Sequence, residues 1–252
     1  MTVRFEQIQK TYQSLDGEVT ALQDVSFSVE EGMFVSIVGP SGCGKSTLLN
    51  ILAGLEEPTG GQVLVDDRPA SQMGVTMGYM PQKDQLFEWR TIWGNMILGL
   101  EVRGQKDSAS LQRVRTLLER YGLAEFEKKL PAQLSGGMRQ RCALIRTLAT
   151  DPGLLLLDEP FSALDYQTRL SVSDDIHAII RQEKKTALLV THDISEAVSM
   201  SDRIVVLSAR PGRVKAIHDL EELAGLSPMQ RRDHPSFHRF FNDIWKELDL
   251  GA

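Results

Sequence analysis

A glycine-rich loop near the amino terminus has residue types and a spacing suited to holding phosphate. The segment GPSGCGKST fits the pattern GxxxxGK[ST] and directly follows a continuous apolar run, FVSIV. Glycines let backbone N–H groups curl around a phosphate, and a helix that starts there adds the positive end of its dipole. In this pattern Lys45 neutralises phosphate oxygens, and the hydroxyl of Ser46 is placed to ligate Mg²⁺. The loop predicts a nucleotide-phosphate site made by Gly39, Pro40, Ser41, Gly42, Cys43, Gly44, Lys45, Ser46 and Thr47.

Two adjacent carboxylates follow one of the most apolar runs of the chain. The segment LLLLDEP places Asp158 and Glu159 at the end of a predicted buried strand. In an open α/β sheet, ligands bind at the carboxyl ends of the strands, and the glycine-rich loop follows another such end. We therefore expect Asp158 to reach Mg²⁺ and Glu159 to polarise an attacking water. Gln82, after MGYMP, and His192, after ALLVT, also fall at predicted strand ends.

A second segment suited to holding an anion, QLSGGMRQR, lies far along the chain from the first. Ser135, Gly136 and Gly137 stand directly ahead of a predicted helix. Free N–H groups and the helix dipole favour negative charge at such a position. One chain thus contains two loops of phosphate-holding type, and their separation raises the question of which nucleotide the second loop serves.

Alternating strands and helices are predicted to position these residues. Apolar runs and alternating patterns predict strands at 3–8, 21–29, 34–38, 63–65, 154–157, 187–190, 204–207 and 214–217. Helical spacing predicts helices at 46–53, 170–183, 194–200 and 237–248. Between about 84 and 150 the spacing is helical throughout, which indicates an inserted helical subdomain.

The composition is ordinary for a soluble globular protein. The 252 residues are 42% hydrophobic and 25% charged, with a net charge of −6, so the basic footprint of a nucleic-acid-binding protein is missing. No apolar signal core is visible, and no apolar run approaches the ~18 residues that span a bilayer. Cys43 and Cys142 form no metal or redox motif. Any membrane role is therefore expected to come through a partner.

The order of these motifs resembles that of the nucleotide-binding subunits of ATP-binding cassette (ABC) transporters. The matching features, from Val3 to about Val214, are Tyr12, GPSGCGKS, Gln82, LSGGM, LLLLDE, SALD at 162–165 and His192. The LSGG signature is the specific element, because a phosphate loop alone predicts only an NTPase. The resemblance implies an α/β fold: a RecA-like P-loop NTPase core with an N-terminal antiparallel β-subdomain and an inserted α-helical signature subdomain.

The resemblance also implies how the chain is divided. It predicts a single ABC ATPase domain over 1–252 that ends in a short tail. The predicted parts are the catalytic core with its β-subdomain (1–83 and 151–217), the helical subdomain (84–150) and the C-terminal tail (218–252).

In that family two subunits stack head to tail, and the signature loop of one clamps the ATP held by the P-loop of the other. The resemblance therefore implies a dimer of this chain with two composite sites, using ATP and Mg²⁺. It implies catalytic roles for Glu159, His192 and Gln82, and Mg²⁺ ligation by Ser46, Gln82 and Asp158. It implies further nucleotide contacts from Tyr12, Ser135, Gly136, Gly137 and Asp165, with Tyr12 stacked on adenine.

Three local features resemble the importer branch for nitrate, sulfonates and taurine. They are LSGGMRQR, QKDQLFEWRT at 82–91 and ARPGR at 209–213. This resemblance implies an ATP-hydrolysing subunit that powers import of a small organic or inorganic ligand. It also implies integral-membrane permease subunits, a substrate-binding protein that acts through the permease, no nucleic acid, and a peripheral position on the cytoplasmic face of the plasma membrane.

Two positions depart from the family pattern. Met138 replaces the usual glutamine of the signature, and Glu88 stands where this branch commonly has proline. Glu88 lies in the segment 86–89, which is expected to face the permease; the alternative for Phe87 and Trp89 is packing in the core of the helical subdomain.

Other functions fit the same motifs less well. The alternative is a soluble cassette ATPase without a transporter, such as one for iron–sulfur cluster assembly, although 82–91 and ARPGR argue against it. A chromosome-maintenance cassette would need long heptad repeats between the two motif halves, and none is visible. Glu159 and His192 argue against a module that binds nucleotide without turnover.

Overall fold

Two β-sheets form the framework of the computed structural model, which describes residues 1–14, 17–70 and 77–249. The smaller sheet contains β1 (Val3–Ser14), β2 (Gly17–Val29), β4 (Gly60–Val65) and β5 (Arg68–Pro69). Its strand order is β2-β1-β4-β5, and every neighbouring pair is antiparallel. The N-terminal part of the chain therefore forms an antiparallel sheet of its own.

The larger sheet carries the strands that end at the predicted catalytic residues. Its strands are β3 (Phe34–Val38), β6 (Met77–Met80), β7 (Leu154–Asp158), β8 (Thr186–Thr191), β9 (Arg203–Leu207) and β10 (Val214–Asp219). They lie in the order β10-β9-β3-β8-β7-β6. All neighbouring pairs are parallel except β9 and β10, which form an antiparallel hairpin.

Burial on both faces explains the apolar runs in the larger sheet. All residues of β3 and β8 are buried, and so are the four leucines of β7. Parallel strands are usually covered on both faces, so they read as continuous apolar runs. In the register of the sheet, Val38 pairs with Thr191 and Asp158 with Val190. The ends of β3, β7 and β8 consequently meet at one edge.

Helices cover the larger sheet and fill the interval between β6 and β7. They are α1 (Lys45–Leu52), α2 (Ile92–Met96), α3 (Leu98–Val102), α4 (Ser108–Arg120), α5 (Gly136–Leu148), α6 (Tyr166–Gln182), α7 (Ile194–Met200), α8 (Pro228–Asp233) and α9 (Pro235–Asp249). Helices α2 to α5 fall within the predicted helical segment 84–150. They share one apolar core with β7, β8 and α6, to which α4 contributes Val114, Leu117 and Leu118.

The C-terminal tail packs on its own domain. Phe237 and Ile244 of α9 are buried against α7 and β9, in a cluster that includes Leu220 and Leu223. Arg231 of α8 is almost fully buried and donates to the carbonyl oxygens of Leu226 and Ser201. No helix within the described residues combines the length and apolar character needed to cross a bilayer.

The predicted α/β class is confirmed, and the differences lie mainly in element ends. The first strand continues to Ser14, and α6 begins at Tyr166 because Asp165 caps it. The short elements β5 and α8 were not predicted. The divisions at 83, 150 and 217 stay predictions, and parts of the segments 1–83 and 218–252 (15–16, 71–76 and 250–252) lie outside the described residues.

Candidate active site

The glycine-rich loop joins β3 to α1 and encloses a cation. The ammonium of Lys45 donates to the carbonyl oxygens of Gly39 at 2.7 Å and Pro40 at 3.0 Å. The helix starts after Gly44, whose φ of +103° is rare for residues with a side chain. A Cβ at Gly44 would also lie 2.5 Å from a methyl carbon of Leu22. Glycine is therefore required for both the conformation and the packing of this loop.

A cavity of about 350 Å³ lies beside this loop. The predicted loop residues that line it are Ser41, Gly42, Gly44, Lys45, Ser46 and Thr47. Gly39 and Pro40 line a neighbouring cavity together with His192. The thiol of Cys43 is buried in the core, and this burial raises its pKa although the charge of Lys45 opposes the shift. Cys43 thus contributes backbone to the loop, while its side chain packs inside.

Tyr12 stands at the same cavity, as the sequence predicts. Its hydroxyl donates to Glu56 Oε2 at 2.6 Å and lies 3.2 Å from Thr47 Oγ1 at the start of α1. The ammonium of Lys10 lies 5.0 Å from the centre of its ring. Tyr12 is 37% exposed, so these contacts hold an aromatic ring at the mouth of the cavity. Glu56, which holds it, was not predicted.

Asp158 at the end of β7 connects to the loop through a hydroxyl. Ser46 Oγ donates to Asp158 Oδ1 at 3.2 Å, and the hydroxyl of Tyr79 donates to Oδ2 at 3.1 Å. Burial raises the pKa of Asp158, and the neighbouring charge of Glu159 adds to this shift. Burial and the charge of Asp158 raise the pKa of Tyr79 to about 12. The two predicted metal ligands Ser46 and Asp158 are thus brought together.

The three predicted catalytic residues also meet. Glu159 Oε2 lies 3.1 Å from His192 Nδ1 and 3.4 Å from Gln82 Nε2. Gln82 also donates to the hydroxyl of Ser162 at 3.1 Å. Glu159 lines the loop cavity, so this carboxylate faces the place where a nucleotide phosphate would lie. Ser162 and Tyr79 were missed, because their contacts depend on the pairing of β6 with β7 and on the loop after it.

The signature loop lies elsewhere. Ser135 caps α5, and its hydroxyl accepts the N–H of Met138 at 3.3 Å. Ser135 and Gly136 are exposed, whereas Gly137 is buried against α6. Asp165 is exposed and caps α6 by accepting the N–H of Thr168 at 3.0 Å. Within the described residues, none of these predicted nucleotide contacts lines the cavity beside the glycine-rich loop.

Helix α5 is bound to the segment that follows Gln82. Arg139 is paired with Asp84 at 2.9 Å and with Glu88 at 2.7 Å. Arg146 donates to the carbonyl oxygens of Asp84 and Gln85, at 2.7 Å each. Glu88, the residue that departs from the branch pattern, therefore ties this segment to the helix that begins at the signature loop.

The segment 86–89 was expected as a whole to face the permease, and the structure corrects this for Leu86. Leu86 is buried in the core cluster of the helices. Phe87 and Trp89 are exposed, Trp89 by 77%, and their rings stack with centroids 4.9 Å apart. Leu86 is therefore the one inward-facing side chain of the segment 86–89, and the aromatic pair lies at the surface.

Comparison with known proteins assigns the family. The family model for ABC transporters matches residues 22–162. The chain belongs to the ABC transporter family. It is 48% identical to the ABC transporter ATP-binding protein YtlC of Bacillus subtilis, over 97% of this chain and 94% of the relative. It is 41% identical to the aliphatic sulfonates import ATP-binding protein SsuB of Bacillus cereus, over 100% of this chain and 98% of the relative.

Solved structures agree with this assignment. The dimeric structure of MJ0796, a bacterial ABC transporter cassette, matches with a TM-score of 0.74 and 33% identity, over 87% of this chain and 99% of that one. A post-hydrolysis dimer of MJ0796 bound to ADP and Pi matches with a TM-score of 0.73. The predicted RecA-like cassette core is confirmed, and the chain is an ATP-binding ABC ATPase. The roles of individual site residues stay predictions.

Proposed function

We propose that this ABC ATPase powers an importer and works as a head-to-tail dimer. In that dimer each ATP lies between the glycine-rich loop 39–47 (the P-loop) of one copy and the signature loop of the other. The observation that carries the proposal is that Ser135 and Gly136 are exposed and do not line the cavity at the chain's own P-loop. An exposed helix N-terminus at a distance from its own nucleotide is suited to serve a partner's nucleotide.

Phosphate binding is assigned to the P-loop and its lysine. The backbone N–H groups at the start of α1 and the ammonium of Lys45 hold the phosphate oxygens. Ser46 and Asp158 would hold Mg²⁺, since a hydroxyl and a carboxylate 3.2 Å apart are the oxygen donors that this ion prefers. Gln82 would complete the set with its amide oxygen. Bound Mg²⁺ would supply neutralisation of charge on the phosphate oxygens.

Hydrolysis is assigned to Glu159 as general base. Its carboxylate is oriented by His192 at 3.1 Å and by Gln82 at 3.4 Å, and it faces the P-loop cavity. In this position Glu159 accepts a proton from the attacking water while His192 contacts the terminal phosphate. Loss of such a base lowers turnover by about 10²–10⁴-fold.

Two further contacts complete the composite site. Tyr12 stacks on the adenine ring at the mouth of the cavity, and Asp165 lies in the loop that crosses to the partner copy. The side chains of Tyr12 and Asp165 are both exposed. The Tyr12 hydroxyl is held by Glu56, and the Asp165 carboxylate accepts the N–H of Thr168.

The transported ligand is proposed to be a small organic or inorganic one of the nitrate, sulfonate or taurine kind. The sulfonate-import name of the SsuB relative supports this class. The exposed stack of Phe87 and Trp89 supports contact with integral-membrane permease subunits, because exposed aromatic pairs mark interaction sites. Through the permease, the chain would lie peripherally on the cytoplasmic face of the plasma membrane and respond to a substrate-binding protein.

The dimer is tested by mass measurement of Glu159→Gln with and without Mg·ATP. We expect a monomer or weak dimer that becomes an ATP-trapped dimer, because binding proceeds without hydrolysis. Adding Ser135→Arg is expected to abolish that dimer while nucleotide binding at Lys45 is kept. Loss of ATP binding by the Ser135→Arg variant would contradict the proposal, since both loops would then serve one nucleotide in one chain.

A further inference from the structure

The turn ARPGR at 209–213 connects β9 to β10. It also packs against the P-loop. Gly212 donates its N–H to the carbonyl oxygen of Ala21 at 2.8 Å, and Gln23 donates to the carbonyl of Gly212 at 2.9 Å. A Cβ at Gly212 would lie 2.1 Å from the carbonyl oxygen of Cys43 in the P-loop. The turn, β2 and the P-loop therefore pack against one another without room for a side chain at Gly212.

This packing brings the side chain of Arg210 to the P-loop. Arg210 Nε donates to the carbonyl oxygen of Gly42 at 3.1 Å, and its Nη2 lies 3.2 Å from the place a Cβ at Gly42 would take. Arg210 is exposed and lines the nucleotide cavity together with Tyr12 and Lys45. In the described part of the chain, the bond to Gly42 is the only hydrogen bond of the Arg210 side chain, and it has no ion pair.

We propose that Arg210 is a phosphate-binding residue of the ATP site and contacts one of the two phosphates nearest the nucleoside. The proposal rests on nucleotide binding in the P-loop cavity. With Nε held by Gly42, the planar guanidinium presents both terminal nitrogens for a phosphate oxygen pair. Backbone N–H groups of a P-loop cradle the α- and β-phosphates, so a guanidinium fixed to Gly42 lies at that level of the nucleotide.

The charge of the cavity favours this assignment. The ammonium of Lys45 already donates to two loop carbonyls, at 2.7 Å and 3.0 Å. The carboxylate of Glu159 also lines the cavity and repels phosphate. A second cation that lines the same cavity offsets this repulsion. Arg210 is such a cation, since it lines the cavity and donates to Gly42 of the loop.

Arg213 provides a matched control within the same turn. Its Nη2 donates to Gln23 Oε1 at 2.6 Å, and it does not line the nucleotide cavity. Replacing Arg213 by glutamine therefore removes the same charge from the same turn without removing a contact to the nucleotide.

The test is the affinity of the purified full chain for ADP, measured by calorimetry at low and high salt. Arg210→Gln is expected to weaken ADP binding about ten-fold, because charge-assisted hydrogen bonds are lost. Arg213→Gln is expected to change it by less than about two-fold. The affinity of Arg210→Gln should also depend less on salt than that of the wild type, because one ionic contact is missing. Arg210→Lys should recover part of the loss, since it keeps the charge but not the planar fork.

Three results would overturn the assignment. Equal ADP affinity of the Arg210→Gln and Arg213→Gln chains would show that Arg210 contacts no phosphate. Weaker binding with the salt dependence of the wild type would show that Arg210 only shapes the loop through Gly42. If Arg210→Gln unfolds, the Arg210→Lys chain carries the test. An ADP affinity of Arg210→Lys equal to that of the wild type would then overturn the proposal, because lysine cannot replace the planar fork of the guanidinium. Lys45→Ala distinguishes failure of the Arg210 proposal from failure of the proposed nucleotide site. If Lys45→Ala binds ADP as the wild type does, the assignment of the nucleotide to the P-loop is itself wrong.

Discussion

The two loops of phosphate-holding type differ in how their helices begin. Helix α1 starts after Gly44, which has no side chain to occupy the first N–H groups, and a buried cation, Lys45, stands within the loop. Helix α5 starts after Ser135, whose hydroxyl already accepts the N–H of Met138. The first end is therefore prepared to bind an anion by itself. At the second end, one of the first N–H groups is already accepted by Ser135, which suits a loop that closes on a nucleotide already held by another copy.

Glycines serve different purposes at the two ends. Gly44 is needed because its backbone has a positive φ and because Leu22 leaves no room for a Cβ. Gly137 is in ordinary helical conformation, but a Cβ there would lie 2.8 Å from Val172 Cγ2 on α6. The glycine of the signature thus also allows α5 to pack closely on α6, and its presence alone does not report on anion binding.

The largest difference between the two ends is expected in nucleotide affinity. Lys45→Ala should weaken ATP binding by about 100-fold, because it removes the buried charge that we propose contacts phosphate. Ser135→Ala should change the affinity of the monomer by less than about two-fold, since Ser135 does not line its own cavity. Equilibrium titration of both variants with ATP checks this. An equal loss of ATP affinity in the two variants would contradict the difference between the two helix N-termini.

A smaller difference is expected in the free energy of unfolding of two signature variants. Gly137→Ala should be less stable than Gly136→Ala by about 1–3 kcal/mol, because its Cβ overpacks the contact with Val172. At Gly136 the nearest atom is a methyl carbon of Leu164 at 3.2 Å, and the residue is exposed. Urea unfolding of both variants measures the difference. The same stability in both would show that the α5–α6 contact adjusts without cost.

The smallest expected effect is on how the free energy of unfolding depends on pH. Asp158 and Asp165 should contribute to this dependence with opposite signs. Burial raises the pKa of Asp158, so its ionised form is disfavoured on folding, and stability falls as pH rises above the ordinary value of 3.8. Hydrogen bonds from the Thr168 hydroxyl and N–H lower the pKa of Asp165, so its stabilising effect is present above 3.8 and is lost as pH falls.

Two variants test these signs. Asp158→Asn should be more stable than the wild type at pH 7, and this gain should disappear near pH 4. Asp165→Ala should be less stable at pH 7, and its deficit should shrink toward acid pH. Urea midpoints measured from pH 4 to pH 8 check both. A loss of stability at pH 7 in Asp158→Asn would show that its hydrogen bonds with Ser46 and Tyr79 outweigh its burial.

Much of the site was predictable because its motifs are local. The phosphate loop, the acidic pair after the leucines and the residues that follow MGYMP and ALLVT each depend on a few neighbouring positions. The parallel strands could be predicted because burial on both faces leaves continuous apolar runs. The meeting of Glu159, His192 and Gln82 follows from the rule that ligands bind where such strands end.

Other contacts were not predictable, because they join positions far apart in the chain. Tyr79 reaches Asp158 only because β6 pairs with β7, and no local pattern specifies that pairing. Arg139 reaches Glu88 through the packing of α5 on the segment after Gln82. The inward turn of Leu86 likewise depends on the core that the helices form around it.

The sequence by itself predicted which residues hold phosphate and activate water, because that chemistry lies in side-chain type and short spacing. Only the tertiary structure decided which of them share a cavity. It placed Ser135 away from the chain's own P-loop and brought Arg210 onto Gly42, across 168 positions. The physical reason is that such contacts arise from strand pairing and helix packing, which depend on the whole core rather than on neighbouring residues.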